Sequence, residues 1–227
     1  MKTVAIISQK GGVGKTTLAT ALAVAAEADG KQAAVFDLDP QASASFWKDA
    51  RGKDASPAVV SLQAVRLRET LQIAAENGCD LAVVDAPPIA KDIAFEAAEH
   101  ADFILVPTRP AVLDVAAMDK TLKLIRTFSK PSAVVMTFCP TQGGREAGDL
   151  EAAVQELGAI LAPVRIHNRV SYSRAQQTGQ TAQEFEPEGK AAEEIKRLYE
   201  YTCMNLFTHT VEEPDVRRPT KLATSRS

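Results

Sequence analysis

The stretch Thr3-Val4-Ala5-Ile6-Ile7-Ser8-Gln9-Lys10-Gly11-Gly12-Val13-Gly14-Lys15-Thr16-Thr17 decides how the rest of the chain is read. Its first six residues are a short apolar run rich in β-branched side chains, as a buried strand requires. Behind the threonines, Leu18 to Ala28 is an apolar helix. Between them the glycines let backbone N–H groups turn inward and approach an oxyanion with no Cβ in the way, and the first turn of the helix adds its positive dipole end. Gly11, Gly12, Val13 and Gly14 would form the cradle. Lys15 would neutralise β- and γ-phosphates, Thr17 would line the nucleotide site, and the Thr16 hydroxyl would be a Mg²⁺ ligand.

Working outward, apolar runs alternate with helix-length amphipathic stretches along the chain, the βαβα pattern of a mostly parallel sheet. Strands are expected at Thr3 to Ser8, Ala33 to Leu38, Val59 to Leu62, Leu81 to Asp85, Phe103 to Val106, Ser132 to Thr137 and Pro163 to Ile166. The 3.6-residue spacing predicts helices over Thr16 to Asp29, Ala64 to Asn77, Leu113 to Phe128, Glu146 to Leu157 and Glu188 to about Asn205. Gly30, Gly78 and Gly158 stop three of them. The fold class is therefore α/β: a single domain, 1–207, whose twisted sheet of about seven or eight strands carries helices on both faces. Residues 208–227 lose the periodicity, hold two prolines and end in a run with Arg217, Arg218, Lys221 and Arg226, so a flexible polar tail is expected.

Composition narrows the function. With 45% hydrophobic and 24% charged residues among 227, the chain has material for one sizeable core, and a formal net charge of -3 argues against coating nucleic acid by bulk charge. The longest apolar runs fall well below the roughly 20 residues of a membrane span, and the apolar start is too short for a signal peptide, so a cytoplasmic protein without a membrane anchor is expected. Cys79, Cys139 and Cys203 are odd in number and widely spaced, which suggests neither a disulfide framework nor a zinc site.

Lys10 is not needed to build the loop. With it, Lys10 to Thr17 reads K-G-G-x-G-K-T-T, and the chain resembles the ParA/MinD family of deviant Walker-type ATPases over roughly 1–207. The resemblance implies a P-loop ATPase that uses ATP and Mg²⁺ and forms a nucleotide-dependent homodimer. Lys10 would reach the partner's nucleotide, following the logic of an arginine finger: a cation supplied where charge builds up in phosphoryl transfer. Asp37-Leu38-Asp39-Pro40-Gln41 looks like the family's second acidic motif. Asp39 would then orient the attacking water and Asp37 support the Mg²⁺ shell. By itself, Asp39 before Pro40 also reads as a helix cap. Leu81 to Asp85, followed by Ala86-Pro87-Pro88, has the Walker B form, with Asp85 holding Mg²⁺ and the prolines forming a γ-phosphate sensor. Similar proteins usually show a threonine or cysteine where Ala86 stands.

Asp39-Pro40-Gln41 with Trp47 and Arg51 is similar to compact ParA-type proteins without an N-terminal DNA-binding extension, and Pro107 to Asp114 resembles their dimer-facing loop. Thr137 and Pro187 occupy the positions that contact adenine in similar proteins. The ParA branch implies nonspecific DNA binding by the ATP-bound dimer, nucleoid association, and stimulation by a ParB-like adaptor to segregate or position plasmid, chromosome or protein-cluster cargo. From Leu157 to Gln183 no acidic residue occurs, while Arg165, Arg169 and Arg174 do, so these three are the expected DNA contacts. A MinD-like positioning ATPase, a metal-cluster or metabolic P-loop ATPase, and an ATP-clamped interaction module are the alternatives.

Overall fold

Each expected apolar run forms a strand: β1 (Lys2–Ile6), β2 (Ala33–Asp37), β3 (Ala58–Ser61), β4 (Leu81–Asp85), β5 (Phe103–Thr108), β6 (Ser132–Cys139) and β7 (Leu161–His167). In this computed structural model, which describes residues 1–88, 90–141 and 145–207, they make one seven-stranded sheet in the order β3-β2-β4-β1-β5-β6-β7. Every neighbouring pair is parallel. All carboxyl ends therefore lie on one edge. The chain leaves β1 toward β2 on one side and passes from β4 to β5 on the other, which opens a crevice beside the carboxyl end of β1. The expected tail, 208–227, lies outside the described residues.

Period-two alternation sorts the side chains between two cores. Val4, Ile6, Leu81 and Val83 face one side with Leu18, Leu22, Ile195 and Leu198. Ala5, Ile7, Ala82 and Val84 face the other with Leu67, Leu71, Met118, Leu122 and Leu150. A strand buried on both faces reads as a continuous apolar run, which explains why β1 and β4 show no polar alternation.

The helices among the described residues are α1 (Lys15–Ala28), α2 (Ser43–Arg51), α3 (Leu67–Glu76), α4 (Lys91–Glu99), α5 (Val112–Ile125), α6 (Arg145–Glu156), α7 (Val170–Gln177), α8 (Ala182–Phe185) and α9 (Lys190–Phe207). Five match the predicted helices, two of them with a 3₁₀ turn, Ala64–Arg66 or Arg126–Phe128, where a longer α-helix is expected. The other four, α2, α4, α7 and α8, are short. α2 buries only Ala44 and Trp47, and α7 only Ser171 and Ala175, too little for a visible apolar stripe. No helix among the described residues is long and apolar enough to cross a membrane.

Candidate nucleotide site

β1 delivers the chain to the crevice, and two left-handed glycines then shape the loop, Gly12 at φ 69° and Gly14 at φ 88°. Gly14 is also the first boundary residue of α1 and offers no side-chain hydrogen bond, so the helix's opening N–H groups keep their capacity for an anion. Lys15 is buried, and its Nζ donates to the Lys10 carbonyl at 3.2 Å. Burial pulls the Lys15 pKa below the ordinary lysine range, against the pull of Asp85 and Asp39. A phosphate at the loop would supply the counter-charge that this desolvated ammonium lacks.

Asp85 closes β4 at 1% exposure and accepts the Thr16 hydroxyl at 2.6 Å. Burial pushes its pKa up to about 7; the Thr16 bond and Lys15 oppose this, while Asp37 and Asp39 add to it. A hydroxyl and a carboxylate oxygen held side by side at the end of a phosphate loop form a hard-oxygen donor set that fits Mg²⁺. Pro88 follows Asp85 into the cavity wall, where a Cβ on Gly11 would meet its ring at 3.9 Å.

The two aspartates at the end of β2 and just beyond it have different jobs. The strand ends at Asp37, so its alternation does not extend to Asp39. Asp37 is buried, with Oδ1 accepting from the Asp39 N–H at 3.0 Å and Oδ2 from the N–H groups of Ala44 and Ser45 at 3.0 and 3.4 Å. Oδ2 thus seats the first turn of α2, while Oδ1 holds the loop that leads to it. Asp39, the residue with the alternative reading as a cap, instead accepts from the Gln41 N–H at 2.9 Å and lines the cavity.

That cavity, about 660 Å³, runs from Gly11 to Thr17 past Asp39 and is roofed by Phe46 and Trp47 of α2 and by Ser173, Gln176 and Gln177 of α7. The roof is pinned together. The Trp47 indole donates to the Gln180 carbonyl at 2.9 Å, and Arg51 bonds the Gly179 carbonyl at 2.9 Å and both Glu184 oxygens at 2.9 and 2.6 Å. At Gly179, φ 65°, the backbones approach so closely that a Cβ would lie 2.1 Å from the Arg51 nitrogen.

A second cavity of about 290 Å³ adjoins the loop at Gly14 and Thr17 and is lined by Thr137, Phe138, Asn168 and Tyr172 among others. Thr137 is 1% exposed and its hydroxyl has no hydrogen-bond partner among the described residues, so a polar group entering here would find one. Phe138 went unnoticed in the sequence. It takes φ 52° at an irregularity in the β6–β7 register, which swings its ring out of the core and against Gly14. No local residue pattern announces a left-handed phenylalanine. Pro187, expected beside Thr137, is not brought there: it lines a separate groove between α1 and α9 with Ala25, Ile195 and Tyr199. The turn before α9 runs on the α1 side of the sheet, so the sequence position next to the last helix does not translate into a place beside the loop.

Residues 4–182 match the family model described as the CobQ/CobB/MinD/ParA nucleotide binding domain. The chain belongs to this family. It is 33% identical over 208 residues, 86% of its length and 94% of the relative's, to the maintenance of carboxysome distribution protein A of Gloeobacter kilaueensis. With the chromosome-partitioning ATPase Soj of Thermus thermophilus it shares 27% identity over 88% of its length and 94% of that protein's. Among solved structures, apo McdA from Cyanthece superposes with TM-score 0.75 at 19% identity, covering 89% of this chain and 99% of that one. MinD with Mg-ADP from Pyrococcus horikoshii superposes with TM-score 0.73 at 19% identity, covering 88% and 95%. The chain is an ATPase of the MinD/ParA nucleotide-binding fold.

On this ATPase the three expected DNA arginines do not form a bare basic triad. Arg165 pairs with Glu151 of α6, and Arg169 reaches Glu194 of α9 at 2.6 Å, where the His167 ring also bonds the same carboxylate at 2.8 Å. Arg174 alone of the three is exposed with no ion pair among the described residues. The expectation took the lack of acids in the linear window as a lack of acids in space; α6 and α9 bring them from either side.

Proposed function

We propose that this chain is a ParA-type positioning ATPase. Two copies close on ATP, the closed dimer holds DNA without sequence preference on the nucleoid, and a ParB-like or other adaptor stimulates hydrolysis to move a cargo. Gly11 to Thr17 hold the phosphates, Thr16 and Asp85 would hold Mg²⁺ with Asp37 behind them, and Mg²⁺ supplies charge neutralisation on the transferring phosphoryl group. Asp39, facing the cavity, orients the attacking water. Lys10, half-buried at the mouth of the loop, acts across the dimer. The base lies on the Phe138 side, within reach of Thr137.

The observation that carries this reading is the apolar surface at the carboxyl edge of the sheet. Leu113 and Val112, at the start of α5, are 75% and 86% exposed, and Phe46, over the phosphate cavity, is 75% exposed. Large apolar side chains displayed around a charged site fit a face that a second copy covers. The relative at 33% identity is named for carboxysome distribution, so we read the cargo as a protein assembly ahead of a plasmid or chromosome. For DNA, Arg174 is the one of these three arginines without an ion pair among the described residues, with Arg165 and Arg169 contributing once their acidic partners exchange for phosphate.

Sedimentation with MgATP, MgADP and no nucleotide tests the switch. Dimers with MgATP alone are expected, and Lys10→Ala should bind ATP while losing most turnover. A monomer in all three conditions would overturn the reading.

A further inference from the structure

Gln176 stands at the wall shared by the two cavities, one turn after Ser173 on α7. Its side-chain Nε2 donates to the Thr17 hydroxyl oxygen at 2.7 Å, joining residues 159 apart in sequence. The three hydroxyls at the head of α1 differ in what they do with their protons. Thr16 gives its proton to Asp85 at 2.6 Å, and Thr20 points its own back at the Thr16 and Thr17 carbonyls at 3.0 and 3.2 Å. Among the described residues Thr17 only accepts, so its proton is uncommitted there.

We infer that Gln176 is a positioning residue of the nucleotide site: by occupying a lone pair of the Thr17 oxygen, its amide turns the Thr17 proton toward the phosphate cradle and makes that hydroxyl a donor to a phosphate oxygen. A hydroxyl rotates to suit its partners, and a fixed N–H donor on one side leaves donation as its remaining role on the other. Gln176 can impose this because α7 is held rigidly. Trp47 and Arg51 pin the segment after it to α2, and the Gln183 side chain donates to the Ala21 carbonyl at 2.8 Å, tying α8 to the body of α1.

The inference rests on the reading that this site binds ATP, and calorimetry with MgATP separates the two. Gln176→Ala should weaken binding about 3–10-fold, the range of one neutral hydrogen bond. Gln176→Glu keeps the shape but accepts the Thr17 proton and sets a negative charge at the cradle, so it should weaken binding more than alanine does while melting like wild type. Thr17→Val should cost a similar factor, and Gln176→Ala added to it should cost nothing further. If the two losses multiply, or if Gln176→Glu binds like wild type, Gln176 does not act through Thr17 and the inference fails. A wild-type chain that does not bind MgATP would instead overturn the nucleotide reading itself.

Discussion

Replacing Asp85 by asparagine should stabilise the nucleotide-free protein at pH 8 and leave it unchanged at pH 4. The carboxyl lies at 1% exposure, and burial is the largest of the influences that push its pKa from an ordinary 3.8 up to about 7. The folded chain therefore binds this proton more tightly than the unfolded chain. The resulting stability is fully present below about pH 4 and is lost as pH rises through about 7. At ~1.4 kcal/mol per pH unit the interval from 3.8 to about 7 comes to ~4 kcal/mol for Asp85 alone. Part of it is offset, because Lys15 is itself desolvated and loses Asp85 as a supporting charge. A net gain of about 2 kcal/mol at pH 8 is expected, since asparagine can still accept the Thr16 hydroxyl. Urea unfolding of both proteins at pH 4, 6, 7 and 8 in chelator reads the effect directly. A gap that grows with pH supports the reasoning; a constant gap, or a less stable variant at pH 8, refutes it. The same variant should lose Mg²⁺-dependent ATP binding, which makes Asp85 a residue kept for chemistry at the expense of stability.

Two other substitutions test the frame around the site. Gly179→Ala would place a Cβ 2.1 Å from the Arg51 nitrogen at a positive φ, so a loss of about 3 kcal/mol, or roughly 10 °C in melting temperature, is expected; unchanged melting would mean the roof is loose. For Glu194, burial raises the carboxyl pKa but the Arg169 and His167 bonds outweigh it and hold it below the ordinary range. Its stabilisation is present above pH 4.5 and lost as pH falls through the depressed value, so Glu194→Gln should cost about 1–3 kcal/mol at pH 7 and progressively less toward pH 3. The same change releases Arg169, and DNA affinity that stays flat or falls would remove Arg169 from the DNA surface.

The strands were legible because each is a buried apolar run with a turn on either side, and the phosphate loop because its glycines, lysine and threonines must occur in that order to work. The roof was not. α2 and α7 each bury only two side chains, so they carry no stripe, and what holds them is side chain to backbone: Trp47 to Gln180 and Arg51 to Gly179, pairs more than 100 residues apart. α8 did leave a local trace in Thr181-x-x-Glu184, whose capping box forms as the spacing suggests. Asp37 and Asp39 look alike in sequence, and only the path of the chain after β2 turns one into the anchor of α2 and the other toward the cavity. The paired arginines teach the same lesson about charge, since Glu151 and Glu194 become their neighbours only once α6 and α9 have packed on the sheet.

The most direct test of the account is binding to a nonspecific DNA duplex, followed by fluorescence anisotropy across a salt series with MgATP, MgADP or no nucleotide. The account predicts binding with MgATP alone, weakening steeply with salt as phosphate contacts by several cations require. Binding that ignores the nucleotide, or its absence from a chain that binds ATP and dimerises, would contradict it.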